Sequence, residues 1–123
     1  MNLAYFRKSS RSAAETEAEL KVQAEKLGFK VLGEIELPDG AGKSVLICRN
    51  DWLKQLVDLD HNLVGFLPCA VSVINKGGEI LVGTGQTAIL KALAQQPQLA
   101  EFAAQADSAM KEIIHNAAGV SAL

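Results

Sequence analysis

Two cysteines, two histidines and two glycine-rich loops are the groups in this 123-residue chain whose types could carry chemistry. Cys48 closes the apolar run Val45-Leu46-Ile47-Cys48, and Cys69 opens a second run, Cys69-Ala70-Val71-Ser72-Val73. A thiol pair can cycle between dithiol and disulfide, or capture a metal or a reactive sulfur species. If the two runs are antiparallel neighbours, the chain between them returns one thiol toward the other. A disulfide then needs Cα atoms about 4.4–6.8 Å apart. The competing reading is that each Cys packs as a small hydrophobe. No Cys-x-x-Cys spacing lowers a thiol pKa here, although Arg49 follows Cys48 directly. Cys48, Cys69 and His61 have the ligand types of a zinc site, but no spacing requires one, and His61 and His115 are not paired as His-x-x-x-His. No metal and no cofactor are expected. A loop His and a His on the last helical turn are expected to be solvated or capping groups.

The glycine loops invite a phosphate reading. Gly40-Ala41-Gly42-Lys43-Ser44 matches the end of a P-loop, whose backbone N–H groups and Lys hold phosphates at a helix N-terminus. The first glycine of that motif falls on Leu37, and Val45-Leu46-Ile47 builds a strand where a helix is required. A plain hairpin turn is the expectation. Gly83-Thr84-Gly85-Gln86-Thr87 lies between a strand and a helix, where Gly85 supplies an unusual dihedral and Thr84 or Gln86 starts the helix. No Ser-His-Asp pattern occurs. Glu15, Glu17 and Glu19 read as a solvated helix face, and Trp52 as core.

These groups sit on elements that the residue pattern specifies. Asn2 to Ser9 reads as a strand. Ser12-Ala13-Ala14-Glu15 is a capping box, followed by Ala13, Thr16, Leu20, Ala24 and Leu27 at helical spacing and a stop at Gly28. From Phe29 the period is two, with Phe29, Val31, Gly33, Ile35 and Leu37 on one side, and a turn at Pro38–Gly42 leads into a strand from Ser44 to Cys48. Asn50 or Asp51 caps a helix through about Leu59, closed by the polar loop Asp58–Asn62. Phe66 to Ile74 is a strand with Pro68 at its start or on an edge, and Asn75-Lys76-Gly77-Gly78 turns it into Glu79–Gly83. A helix from about Gln86 to Gln95 follows, then another with Pro97 at its first position and an apolar stripe from Leu99 to Ala117. Gly119 to Leu123 reads as a frayed end of the single domain 1–123.

The order β-α-β-β-α-β-β-α(α) predicts an α+β fold, a mainly antiparallel sheet with helices packed on one face. Such a sheet leaves its other face open, and apolar residues there favour a dimer. At 49% hydrophobic and 21% charged, the chain folds around an ordinary core, filled by aliphatic side chains because only 5% of residues are aromatic. A net charge of −2 argues against a general nucleic-acid or anionic-membrane binder. Neither a signal peptide nor an apolar run of about 20 residues is present, so a cytoplasmic location is expected.

The segments Val45-Leu46-Ile47-Cys48-Arg49-Asn50 and Val64-Gly65-Phe66-Leu67-Pro68-Cys69-Ala70-Val71-Ser72-Val73 resemble the family called domain of unknown function 302. Lys26-Leu27-Gly28-Phe29-Lys30-Val31-Leu32 and Pro97-Gln98-Leu99-Ala100-Glu101 extend that resemblance over nearly the whole chain. The family's Cys-Asn-Pro is replaced by Cys48-Arg49-Asn50-Asp51. The resemblance implies a curved antiparallel sheet of the TATA-binding-protein-like class and a small homodimer, with no established activity. The expected function is a homodimeric binding or accessory protein. Its shallow small-molecule pocket is expected near Cys48, Asn50, Pro68 and Cys69, with a thiol-dependent redox or sulfur-handling role for the two cysteines as the alternative.

Overall fold

The computed structural model of the chain describes residues 4–66 and 69–119. Its elements are β1 (Tyr5–Lys8), α1 (Ala13–Lys26), β2 (Lys30–Leu37), β3 (Gly42–Cys48), α2 (Asn50–Leu59), β4 (Cys69–Lys76), β5 (Glu79–Thr84), α3 (Gln86–Leu93) and α4 (Ala100–Ala118). Short 3-10 turns occupy Pro38–Gly40 and His61–Phe66. The fold is α+β, in the expected order.

Local chemistry explains where α1 begins and ends. The Glu15 N–H donates to Ser12 Oγ at 3.1 Å and the Ser12 N–H to Glu15 Oε1 at 3.3 Å, so two orphan donors of the first turn are satisfied reciprocally. Gly28 at φ 86° turns the chain out of the helix, and the Phe29 N–H closes back on the Ala24 carbonyl at 3.0 Å. Thr16, Leu20 and Ala24 form the buried stripe.

All strand pairs are antiparallel, in the order β1-β5-β4-β3-β2. The inner face carries Val45, Ile47, Val71, Val73 and Val82, each fully buried, against Leu20 of α1 and Met110, Ile113 and Ile114 of α4. α1 covers β2–β4 and α4 covers β1 and β5, while α3 lies on α4. Trp52 and Leu56 bring α2 into the same core. Among the described residues, no helix is long and apolar enough to cross a membrane.

Strand β2 departs from strict alternation. Val31 pairs with Ile47, but Gly33 pairs with Leu46, so Leu32 is an extra residue in a bulge. One inserted residue exchanges the faces of everything beyond it. Val31 stays with the core, whereas Gly33, Ile35 and Leu37 go to the opposite face and Ile35 is 53% exposed. Glu34 and Glu36 take the inner positions opposite Val45 and Lys43. Glu34 is neutralised there by Lys21 of α1 and by Lys43 at 3.6 Å.

Several boundaries also differ. The strand expected from Phe66 starts at Cys69, because residues 61–66 wind into a 3-10 turn, and Pro68 lies outside the described residues. Asn50 and Asp51 do not occupy the cap of α2; Arg49 does, so both are inside the first turn. Pro97 does not open α4, which begins at Ala100 after a turn in which the Leu99 N–H bonds the Gln96 carbonyl at 2.9 Å. Gly85 has an ordinary φ of −90°. Instead, Thr84 Oγ1 receives the Gln86 N–H at 3.1 Å and starts α3. At the other end Gly119, at φ 82°, caps α4 through the His115 carbonyl, and residues 120–123 of the expected frayed end lie outside the described residues.

Gly42, at φ 141°, is where β3 meets β4 most closely, and a Cβ there would run into the Val73 carbonyl oxygen. Gly33 has nothing within 4 Å of a built Cβ. Urea unfolding of Gly42→Ala is therefore expected to show a loss of about 2–4 kcal/mol, from strain and a broken ladder. Gly33→Ala is expected to change stability by less than about 1 kcal/mol. Equal effects would contradict this packing.

Candidate functional site

The pairing of β3 with β4 decides how the cysteines meet. Ile47 lies directly opposite Cys69, and Cys48 is one step further along, opposite Lys30 of β2. Antiparallel neighbours therefore do bring the two residues together, but one register step apart. The pleat then sets Cys48 on the face opposite to that of Ile47 and Cys69. Both are free thiols, 7% and 8% exposed. Cys48 Sγ donates weakly to the Arg49 carbonyl at 3.8 Å.

Burial disfavours the thiolate. It pushes the Cys48 pKa up, and it raises Cys69 from an ordinary value of 9.0 to about 11, with the nearby charge of a Cys48 thiolate adding to the effect. Both groups are thus protonated, weak nucleophiles at neutral pH. Cys69 lines a small apolar cavity of about 20 Å³ with Trp52, Leu90 and Phe102, whose walls offer a thiolate almost no compensation. The pair has the setting of packing residues.

Asn50 is exposed in the first turn of α2, and its side chain has no hydrogen-bond partner among the described residues. The organised polar group beside it is Arg49. Its Nε and Nη2 donate to the two oxygens of Asp51 at 3.0 and 2.5 Å, which holds the Asp51 carboxyl below its ordinary pKa, helped by the Trp52 and Asp51 N–H groups. The guanidinium lies over the Trp52 ring, 4.4 Å from its centroid. Trp52 in turn meets Phe29 and Phe102 edge to face, at 5.2 and 5.4 Å. A rigid aromatic cluster therefore fixes Arg49 at the rim of a groove of about 490 Å³. Leu27, Trp52, Ala104, Ser108 and Glu112 form much of its remaining wall. This volume is in the usual range for small-molecule sites.

The glycine loops take structural roles. Lys43 of the P-loop-like segment faces Glu17 and Glu34 at 3.8 and 3.6 Å, and a strand follows it, so no helix N-terminus awaits a phosphate. Thr84 Oγ1 donates to the Ala70 carbonyl at 2.8 Å. Among the described residues no cluster of three or more His, Cys, Asp or Glu could hold a metal ion. His61 is solvated, with an 86% exposed side chain. His115 departs from expectation: it is only 6% exposed, and its Nε2 is hydrogen-bonded to the Tyr5 hydroxyl, tying edge strand β1 to α4.

The groove was missed from the sequence because its walls come from three distant helices. The one local signal was Arg49 three residues before Trp52 across a helix start, the spacing that lets a guanidinium fold over an indole.

The raised thiol pKa values set a pH dependence. Below about pH 8.5 both folded and unfolded Cys69 hold their proton, and the buried thiol costs nothing in linkage. Above that, the unfolded chain releases a proton that the fold retains until about pH 11, so stability falls as pH rises through this window. Chemical denaturation is expected to show a loss of about 2–3 kcal/mol between pH 8 and 11 that is removed in Cys69→Ala. An aromatic disulfide reagent at pH 8 is expected to label both thiols much more slowly in the native chain than in urea. Fast native labelling would contradict this burial.

The fold has known relatives. A crystal structure of an uncharacterized conserved protein DUF302 from Bacillus stearothermophilus matches 95% of this chain and 99% of its own, with a TM-score of 0.83 and 18% identity. At that identity the likeness establishes the shared fold alone. No curated protein matches the chain. The model of Domain of unknown function DUF302 matches residues 5–117, which include the strand-end cysteines, the sheet, α1 to α3 and all of α4 but its last residue. The chain belongs to the DUF302 family.

Proposed function

We propose that this chain is a cytoplasmic homodimeric binding or accessory protein without catalytic chemistry of its own, in which two copies meet through the outer face of the sheet. The observation that carries this reading is the composition of that face. Following the register, one row reads Phe6, Gly83, Ser72, Ser44 and Ile35, and the next Lys8, Leu81, Ile74, Gly42 and Leu37. A third holds Ala70, Leu46 and Gly33. Charge on this face is confined to its margins, with Lys8 beside Glu79 and Lys76 at one edge and Lys30 beside Cys48 at another.

Five strands about 4.8 Å apart make a face about 20 Å across, so this apolar area is on the order of a few hundred Å², at the upper limit of what monomers leave exposed. The Phe6 ring lies flat on it because Gly83 has no side chain in the way. Ser44 Oγ and Ser72 Oγ satisfy each other at 2.6 Å, which leaves the centre free of unpaired polar groups. An apolar centre suits a second apolar centre. With its few charges spread along the margins and a net charge of −2 on the chain, the face has no concentrated basic patch for a phosphate backbone or an anionic membrane, so neither nucleic acid nor membrane is a partner in this reading.

The alternative, a thiol-dependent redox or sulfur-handling role for Cys48 and Cys69, has in its favour that each thiol lies within the other's electrostatic reach. Their burial and raised pKa values weigh against it. The homodimeric binding reading is preferred on that balance.

Light scattering is expected to give twice the chain mass of 13.1 kDa across the micromolar range. Leu46→Lys and Ile74→Lys, at half-buried positions of the outer face, are expected to give folded chains of single mass. A monomeric wild type, or dimers that tolerate both lysines, would overturn the proposal.

A further inference from the structure

We propose that the two copies meet about a two-fold axis that runs across the strands, along the row Phe6, Gly83, Ser72, Ser44 and Ile35. Each large side chain on one outer face then enters a place left small on the other. This rests on the homodimer reading above and deepens it, from a face that closes to the residues that recognise each other.

A two-fold dimer uses one patch twice, so the patch must complement itself. Residues two apart on a strand share the outer face, and the pairing of neighbouring strands lines them up in rows. The Ser72 row is the middle one. On β4 it has Ile74 on one side and Ala70 on the other, on β3 Gly42 and Leu46, and on β2 Leu37 and Gly33. Each of these strands thus carries one large and one small residue at equal distances from the row. On β5 the counterpart of Leu81 is Gly85, one position past the strand's end.

Rotation about that row keeps each strand over its own copy and exchanges the rows on either side. Ile74 then faces the partner's Ala70, Leu46 the partner's Gly42, Leu37 the partner's Gly33 and Leu81 the partner's Gly85. Interlocking of large with small residues is how two sheets fill the space between them. There is room for it here, because a Cβ built on Gly33 or Gly85 meets no atom within 4 Å.

The other two-fold axis that keeps the strands aligned runs along β4. It sets Ile74 against the partner's Ile74, large on large, and places charged Lys8 over the partner's Leu37. The axis along the Ser72 row avoids both. The margins agree with it as well. The Lys30 end of β2 comes over the partner's turn at Pro38–Gly40, where exposed Asp39 brings the opposite charge, and symmetry repeats the match. Opposite charges at a rim set the register of two copies more than they hold them together.

Isotope-filtered NOE spectra of dimers mixed from labelled and unlabelled wild-type chains read the facing residues directly. They are expected to connect the Ile74 methyls with the partner's Ala70 methyl, and the Leu46 methyls with the partner's Gly42 α-protons. Gly33→Leu fills the place of the partner's Leu37 and is expected to weaken dimerisation about tenfold or more. Adding Leu37→Gly moves the small residue to the facing position and is expected to restore the affinity to within about threefold of wild type. Melting curves of both variants confirm the fold. A dimer whose Leu81 methyls contact the partner's Gly42, whose Ile74 methyls contact the partner's Ile74 instead of Ala70, or whose affinity the second substitution leaves weakened, would overturn this axis and leave the homodimer standing. A wild-type chain of single mass would overturn both.

Discussion

The rest of the structure depends on an imbalance between sheet and helix. Five antiparallel strands are apolar on both faces, yet α1 and α4 gather on one. On the covered side Val45, Ile47, Val71, Val73 and Val82 are fully buried and supply the main hydrophobic driving force. On the other, Leu46, Ile74 and Leu81 are only half-buried, with no helix to complete their burial. The register that orders the core rows orders these residues too, because the period of a strand is two. The core and the proposed dimer surface are consequences of one pairing pattern.

The same constraint governs the thiols. A register that sets Ile47 against Cys69 draws Cys69 into the core and leaves Cys48 at the strand end, a step away. Burial then keeps both protons in place. The organised polar group at this end of the sheet is thus the residue after Cys48 rather than a thiol. Arg49 is the first residue free of the sheet, and Trp52, which is buried, provides the surface on which its guanidinium rests.

Much of the fold could be read from single residues with strong local preferences. Ser12 and Glu15 marked the start of α1 and Gly28 its end, and Asn75 with Gly77 and Gly78, at φ 60° and 89°, marked the β4–β5 hairpin. The bulge at Leu32 was not legible, because Val31, Gly33, Ile35 and Leu37 keep period two whether or not one residue is inserted in the pairing. Only the partner strand reveals that Ile35 has left the core. Pro97 misled for a related reason: the residue suits a first helical turn and a loop equally, and here the turn closing at Leu99 took it. In the site, the proximity of Cys48 and Cys69 was legible from strand order, while the groove depended on Glu112 and Leu27, more than 80 positions apart, and had no signature in either segment.

The central claim, that the outer sheet face is closed by a second copy, is tested most directly by methyl NMR in the presence of a soluble paramagnetic agent. The methyl signals of Leu46, Ile74 and Leu81 are expected to be protected nearly as well as those of Val71 in the core, and to lose that protection on dilution. Broadening of these methyls at every concentration, to the extent seen for Val22, which is 46% exposed on α1, would contradict it.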